Sequence, residues 1–170
     1  MKMKNNIILI GMPGAGKSTL GVVLAKAVGF DFIDTDLIIQ SEQNEKLYRI
    51  IEKKGIEKFT EIENKTVASL KAENCVIATG GSVIFGKEAM ENLKSLGTVV
   101  YLQVEEKEIE KRLSNIKTRG IVMKADETVE KIYNERTPLY EKYADITVSC
   151  KGMDLEKTVE AIINNLGEEK

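Results

Sequence analysis

The run Gly11-Met12-Pro13-Gly14-Ala15-Gly16-Lys17-Ser18 sets glycines, a lysine and a hydroxyl at the spacing G-x-x-x-x-G-K-[ST], the arrangement that cradles nucleotide phosphates. Glycines let the backbone curl so that successive N–H groups point at an anion, and the start of the following helix adds partial positive charge. On this reading Gly14, Ala15 and Gly16 supply backbone donors and Lys17 reaches the β- and γ-phosphates. Ser18 places its hydroxyl on Mg²⁺, and Thr19 hydrogen-bonds a phosphate oxygen. The plainer alternative is a glycine-rich strand-to-helix turn with no ligand. The position of the motif, directly after a β-type run and opening a helical one, weighs against it.

A second set of chemical groups is Asp34-Thr35-Asp36, at the end of a short β-type run. Two carboxylates two residues apart at a strand end can serve neighbouring sites, one holding Mg²⁺ through water and one accepting a hydrogen bond from a substrate hydroxyl. Either could instead cap the next helix, as Asp36 before Leu37 would. Other classes fit poorly. Asn64-Lys65-Thr66-Val67 lacks the Asp of a guanine-reading Asn-Lys-x-Asp motif, and Cys75-Val76-Ile77-Ala78 runs into Thr79-Gly80-Gly81 where an ATPase strand ends in an acid. The chain has no histidine, which removes Ser-His-Asp and Cys-His catalysis and the commonest zinc sites.

These groups need a scaffold. Asn6–Ile10, Phe30–Asp34, Cys75–Ala78, Thr98–Val104 and Ile146–Ser149 read as strands too apolar to be one-faced. Between and around them, helical periodicity covers Lys17–Val28, Asp36–Gln43, Leu47–Lys54, Ile56–Leu70, Lys87–Leu96, Lys107–Leu113, Glu127–Lys142 and Leu155–Leu166. Alternation of buried strands with helices predicts a parallel sheet in an α/β layer fold. Ser114–Asp126, of mixed charge and without period, reads as a mobile loop. The 170 residues fit one domain.

Composition narrows the setting. Twenty-five Lys and Arg against 27 Asp and Glu leave a net charge of −2, with no general basic field to gather nucleic acid or anionic lipid. The apolar run Ile7–Ile10 is far short of the roughly 20 residues of a membrane span, and short for a signal peptide. Cys75 and Cys150 lie in or beside apolar runs, as packed free thiols do. A reducing, cytoplasmic location is the expectation.

Taken in order, Gly11 to Thr19, Asp34-Thr35-Asp36, Thr79-Gly80-Gly81, Arg119 and Arg136-Thr137-Pro138-Leu139-Tyr140 resemble the shikimate kinase family over roughly residues 5 to 150. The resemblance implies a three-layer α/β/α P-loop fold with a five-stranded parallel sheet of order 2-3-1-4-5. It implies one domain over residues 1–170, with substrate-binding helices at about 36–72 and a lid at about 114–126. The implied reaction moves the γ-phosphoryl of ATP to the 3-hydroxyl of shikimate, with Mg²⁺, in a monomer. Residue by residue, it makes Lys17 and Ser18 the phosphate and metal residues and Asp34 a metal-side carboxylate. Asp36 becomes the hydroxyl acceptor, while Gly80 and Gly81 form the substrate-facing turn. Arg136 becomes the carboxylate arginine, Arg119 the lid arginine at the transferring phosphate, and Arg112 an arginine packed on adenine.

The substrate lobe departs from the family pattern. Where the family has Phe-Arg-x-x-Glu, this chain reads Phe59-Thr60-Glu61-Ile62-Glu63, so Thr60 takes the substrate position of a second arginine and leaves Glu63 to find another partner, such as Arg136 or a substrate hydroxyl. The glycine turn ends in Ser82. Loss of one partner of a buried charge pair costs about 2–5 kcal/mol, enough to change the preferred acceptor. A kinase of another small hydroxylated metabolite, and a nucleotide-binding regulatory domain without transfer, are the alternatives.

Overall fold

A computed structural model describes residues 5–114 and 121–168. Its centre is β1 (Asn6–Ile10), buried along its whole length. Around it lie β2 (Asp31–Asp34), β3 (Cys75–Ala78), β4 (Gly97–Gln103) and β5 (Ile146–Ser149), all parallel, in the order β2-β3-β1-β4-β5. This is the order that the resemblance implied. Register places Ile8 between Ile77 and Val99, and strand alternation sends successive side chains to opposite faces.

Both faces of the sheet are covered, which is why its central strands carry continuous apolar runs. Ile7, Leu9, Val76, Val100 and Leu102 pack on Leu20 and Leu24 of α1 (Lys17–Val28) and on Val159 and Ile162 of α8 (Leu155–Glu168). Ile8, Ile10, Ile77, Val99 and Tyr101 pack on Met90 and Leu93 of α5 (Lys87–Leu96), Ile109 of α6 (Glu106–Ser114) and Ile132 and Tyr140 of α7 (Val129–Tyr143). The edge strands differ from expectation. β5 alternates buried Ile146 and Val148 with exposed Thr147 and Ser149, and β2 has no fully buried residue. Each pairs on one side only, so one-faced patterning suffices.

A third core lies off the sheet. Helices α2 (Thr35–Gln43), α3 (Leu47–Lys54) and α4 (Ile56–Ala68) bury Ile39, Leu47, Ile50 and Phe59 together with Val122. Val122 belongs to the stretch expected as a mobile loop, yet its side chain is anchored in this cluster. Two further differences are local. A 3₁₀ turn at Val83–Phe85 follows the glycine turn, and α7 starts at Val129 because the Thr128 side chain accepts from the Lys131 N–H. Pro138 lies inside α7, so one helical N–H is missing there. Among the described residues no helix is long and apolar enough to cross a membrane.

Candidate active site

The carboxyl ends of β1, β2 and β3 deliver three segments to one edge of the sheet, where ligands of open α/β sheets bind. After β1 the chain enters the glycine loop, with Gly14 at φ 82° and Gly16 at φ 89°, backbone that residues with a Cβ rarely adopt. Gly16 caps α1, and the Ala15 N–H donates to the Met12 carbonyl at 3.0 Å. Lys17 is only 7% exposed, and its Nζ donates to the carbonyls of Gly11 and Met12 at 2.7 and 2.8 Å. The loop thus fixes its own lysine through two of its backbone carbonyls.

Asp34 ties this loop to the second segment. Its Oδ2 accepts from the Ser18 hydroxyl at 2.8 Å, and its Oδ1 accepts from the Asp36 N–H at 2.9 Å. The cap of α2 is therefore Asp34 and not Asp36, which leaves the Asp36 carboxylate to the cavity. A hydroxyl and a carboxylate in contact are the oxygen ligands that a hard divalent cation takes. Thr19 also lines the cavity. Arg112 lies on the other side of the loop, with Nη1 donating to the Gly14 carbonyl at 3.0 Å and Nε paired with Glu108 at 3.0 Å. Arg119 lies outside the described residues.

The third segment is the turn after β3. The Thr79 hydroxyl donates to the Leu9 carbonyl at 2.8 Å, and the Tyr140 hydroxyl donates to the Gly81 carbonyl, so strand β1 and helix α7 fix the turn from two sides. Helical spacing on α4 brings Phe59 and Glu63 to one face, and both are buried. The Ser82 hydroxyl donates to Glu63 Oε1 at 2.6 Å, while Oε2 has no hydrogen-bond partner among the described residues. Burial pushes the Glu63 carboxyl up to about 7, with Asp36 adding to the rise and Ser82, Arg136 and Lys17 opposing it.

Arg136, 3% exposed, donates from Nη2 to the Val122 carbonyl and lies 5.5 Å from the centre of the Phe85 ring. Among the described residues its Nε and Nη1 have no hydrogen-bond partner. A buried guanidinium with two donors to spare suits a carboxylate, which such a fork binds in bidentate fashion. These groups share one cavity of about 770 Å³ that runs from Lys17, Ser18 and Asp34 to Asp36, Glu63, Gly80, Gly81 and Arg136.

Thr60 is not brought in. Its hydroxyl turns back to the Ile56 carbonyl at 2.9 Å, and it does not line the cavity. Other lining residues went unread in the sequence: Leu37, Gln40, Lys46, Leu47 and Tyr48. Gln40 sits one helical turn after Asp36, so i,i+4 spacing was a usable signal. Lys46, at the start of α3, gave none.

Gly80 makes a first prediction. A Cβ there would lie 2.6 Å from Glu63 Oε2 and 2.9 Å from Asp36 Oδ1, so Gly80→Ala displaces both carboxylates. Steady-state kinetics should show a higher acceptor KM and a lower kcat, with the KM for ATP unchanged. A second concerns stability. Because the folded state keeps the Glu63 proton up to about pH 7, it binds more protons than the unfolded chain above the ordinary carboxylate range, and stability falls as pH rises through that window. Glu63→Gln removes this loss. Its melting temperature relative to the parent should climb between pH 5 and 7 and level off above.

Comparison with known proteins agrees with the geometry. The shikimate kinase family model matches residues 13–167. A shikimate kinase from Thermodesulfovibrio yellowstonii is 35% identical over 161 residues, 93% of this chain and 92% of that protein. One from Francisella tularensis subsp. novicida is 37% identical over 168 residues, 96% of each. The solved shikimate kinase from Acinetobacter baumannii, in complex with shikimate, superposes with a TM-score of 0.88 at 28% identity, covering 99% of this chain and 96% of that one.

Proposed function

The chain belongs to the shikimate kinase family, and from that premise we propose that the γ-phosphoryl group of ATP passes to the 3-hydroxyl of shikimate within the cavity just described. The observation that carries the reading is the meeting, in one space, of the phosphate residues Lys17 and Ser18 with the Asp36 carboxylate and the buried Arg136 guanidinium. Phosphoryl transfer needs little covalent help from a protein, so positioning and charge stabilisation supply most of the catalysis.

In this reading the loop amides and Lys17 hold the β- and γ-phosphates. Ser18 and Asp34 would hold Mg²⁺, which neutralises charge on the phosphate oxygens when bound; their contact at 2.8 Å fits that pairing. Arg136 takes the acceptor carboxylate, and the turn at Gly80 and Gly81 lets the acceptor approach the backbone. Asp36 accepts the proton of the attacking hydroxyl as its oxygen bonds to the γ-phosphorus, and the bond from that phosphorus to the β–γ bridging oxygen breaks to leave ADP. By the family resemblance, Arg119 stabilises the transferring phosphoryl, and Arg112 lies toward adenine while steadying the loop through Gly14. The reading also carries a cytoplasmic monomer, folded as one unit with substrate-binding helices at about 36–72 and a lid at about 114–126, of which 115–120 lie outside the described residues.

The position of Thr60 favours a second reading, a related hydroxylated metabolite of lower negative charge, because the arginine that the family places there has no replacement on α4. Coupled ADP release in ATP and Mg²⁺, with and without shikimate, separates them when Thr60→Arg is run in parallel. Saturable shikimate-dependent turnover by the parent supports the first reading. Activity in Thr60→Arg alone supports the second.

A further inference from the structure

Glu63 is the buried acid left without an assigned task. It is 2% exposed, it lines the cavity, and its Oε2 has no hydrogen-bond partner among the described residues, although Oε1 accepts from Ser82. Among the ion pairs of the described residues, none joins it to Arg136. The carboxylates of Glu63 and Asp36 converge on the same point beside Gly80. Two like charges so placed do not both ionise cheaply, and a protonated carboxyl is a hydrogen-bond donor.

We propose that Glu63, oriented by Ser82, is a specificity-determining residue that in its neutral form donates from Oε2 to the acceptor carboxylate, completing with Arg136 the anion subsite from which Thr60 is withdrawn. The proposal rests on the reading of shikimate as acceptor. The groups that face Glu63 are Asp36 from α2, Arg136 and Tyr140 from α7, Lys17 from α1 and the Ser82 hydroxyl from the glycine turn. Of these, Asp36 disfavours the charged form while Lys17, Arg136 and Ser82 favour it; burial outweighs them and holds the carboxyl up to about 7. Below that pH the site offers a guanidinium and a neutral donor to an anion. Above it, a second carboxylate faces the anion and repels it.

The test is the pH profile of the acceptor constants from pH 6 to 9 at saturating ATP and Mg²⁺. With only the neutral form binding, the KM for shikimate rises about tenfold per pH unit above pH 7, while kcat at saturating shikimate does not follow it. Glu63→Gln, which keeps a neutral donor, should give a KM for shikimate that is level across the range. Ser82→Ala removes a hydrogen bond that favours the charged form, so its KM should begin to climb at higher pH than in the parent. A parent KM that is level from pH 6 to 9, with shikimate turned over, overturns this proposal alone. No shikimate turnover by the parent at any pH overturns the acceptor assignment and the proposal with it.

Discussion

Asp36→Asn is expected to lower kcat by about 10²–10⁴ while leaving the KM for ATP near its parental value. Asp34 caps α2 and contacts Ser18, so the Asp36 carboxylate is left facing the cavity beside Gly80. Substitution by the isosteric amide keeps the packing and removes the proposed base for the hydroxyl proton, a loss felt in the transition state more than in the bound ground state. The same change removes the charge that helps hold Glu63 neutral, so the Glu63 carboxyl should ionise at lower pH in the variant. Initial rates with each substrate varied in turn, together with direct measurement of ATP affinity, check the first claim. An unchanged kcat would take Asp36 out of the proton-accepting role.

Arg136→Met should raise the acceptor KM by roughly 30- to several-thousand-fold, the equivalent of about 2–5 kcal/mol for loss of one partner of a buried charge pair. Methionine keeps much of the length and the contact with the Phe85 ring, but it cannot donate to the Val122 carbonyl. That hydrogen bond ties α7 to the small core of α2, α3 and α4. The variant should therefore also lose thermal stability. Removal of a cation that favours ionised Glu63 pushes the Glu63 carboxyl above about 7. A variant with parental acceptor KM would place the carboxylate contact elsewhere, with Lys46 as the next lining cation to substitute.

The sheet was readable because β1, β3 and β4 are buried on both faces along their middles and there carry continuous apolar runs, and because glycines mark the turn where the phosphate loop begins. β2 and β5 were placed along the chain but not by exposure, since an edge strand shows its one-faced pattern only once its neighbour is known. At the site, Lys17, Ser18, Asp34 and Asp36 follow from a motif and from strand ends. The partner of Glu63 does not: Ser82 lies 19 residues away on another element, and only the packing of α4 against the glycine turn brings the two to 2.6 Å. The cap of α2 was a matter of one hydrogen bond. Asp34 and Asp36 have equal claims by type, and the Asp36 N–H decides for Asp34. Thr60 was given a place in the cavity only by the family pattern that sets an arginine there, whereas its hydroxyl bonds the preceding turn of its own helix, as threonine in helices often does.

Among the described residues, one cavity of about 770 Å³ takes in both the Lys17 end and the Arg136 end of the site. A single molecule that joins a nucleotide mimic to a carboxylate-bearing ring would therefore lose translational and rotational freedom once in filling both ends, where two separate ligands lose it twice. The tether that suits it would be short and anionic, following the line from Lys17 to Asp36, and its affinity should depend on Arg136 and Lys17 together.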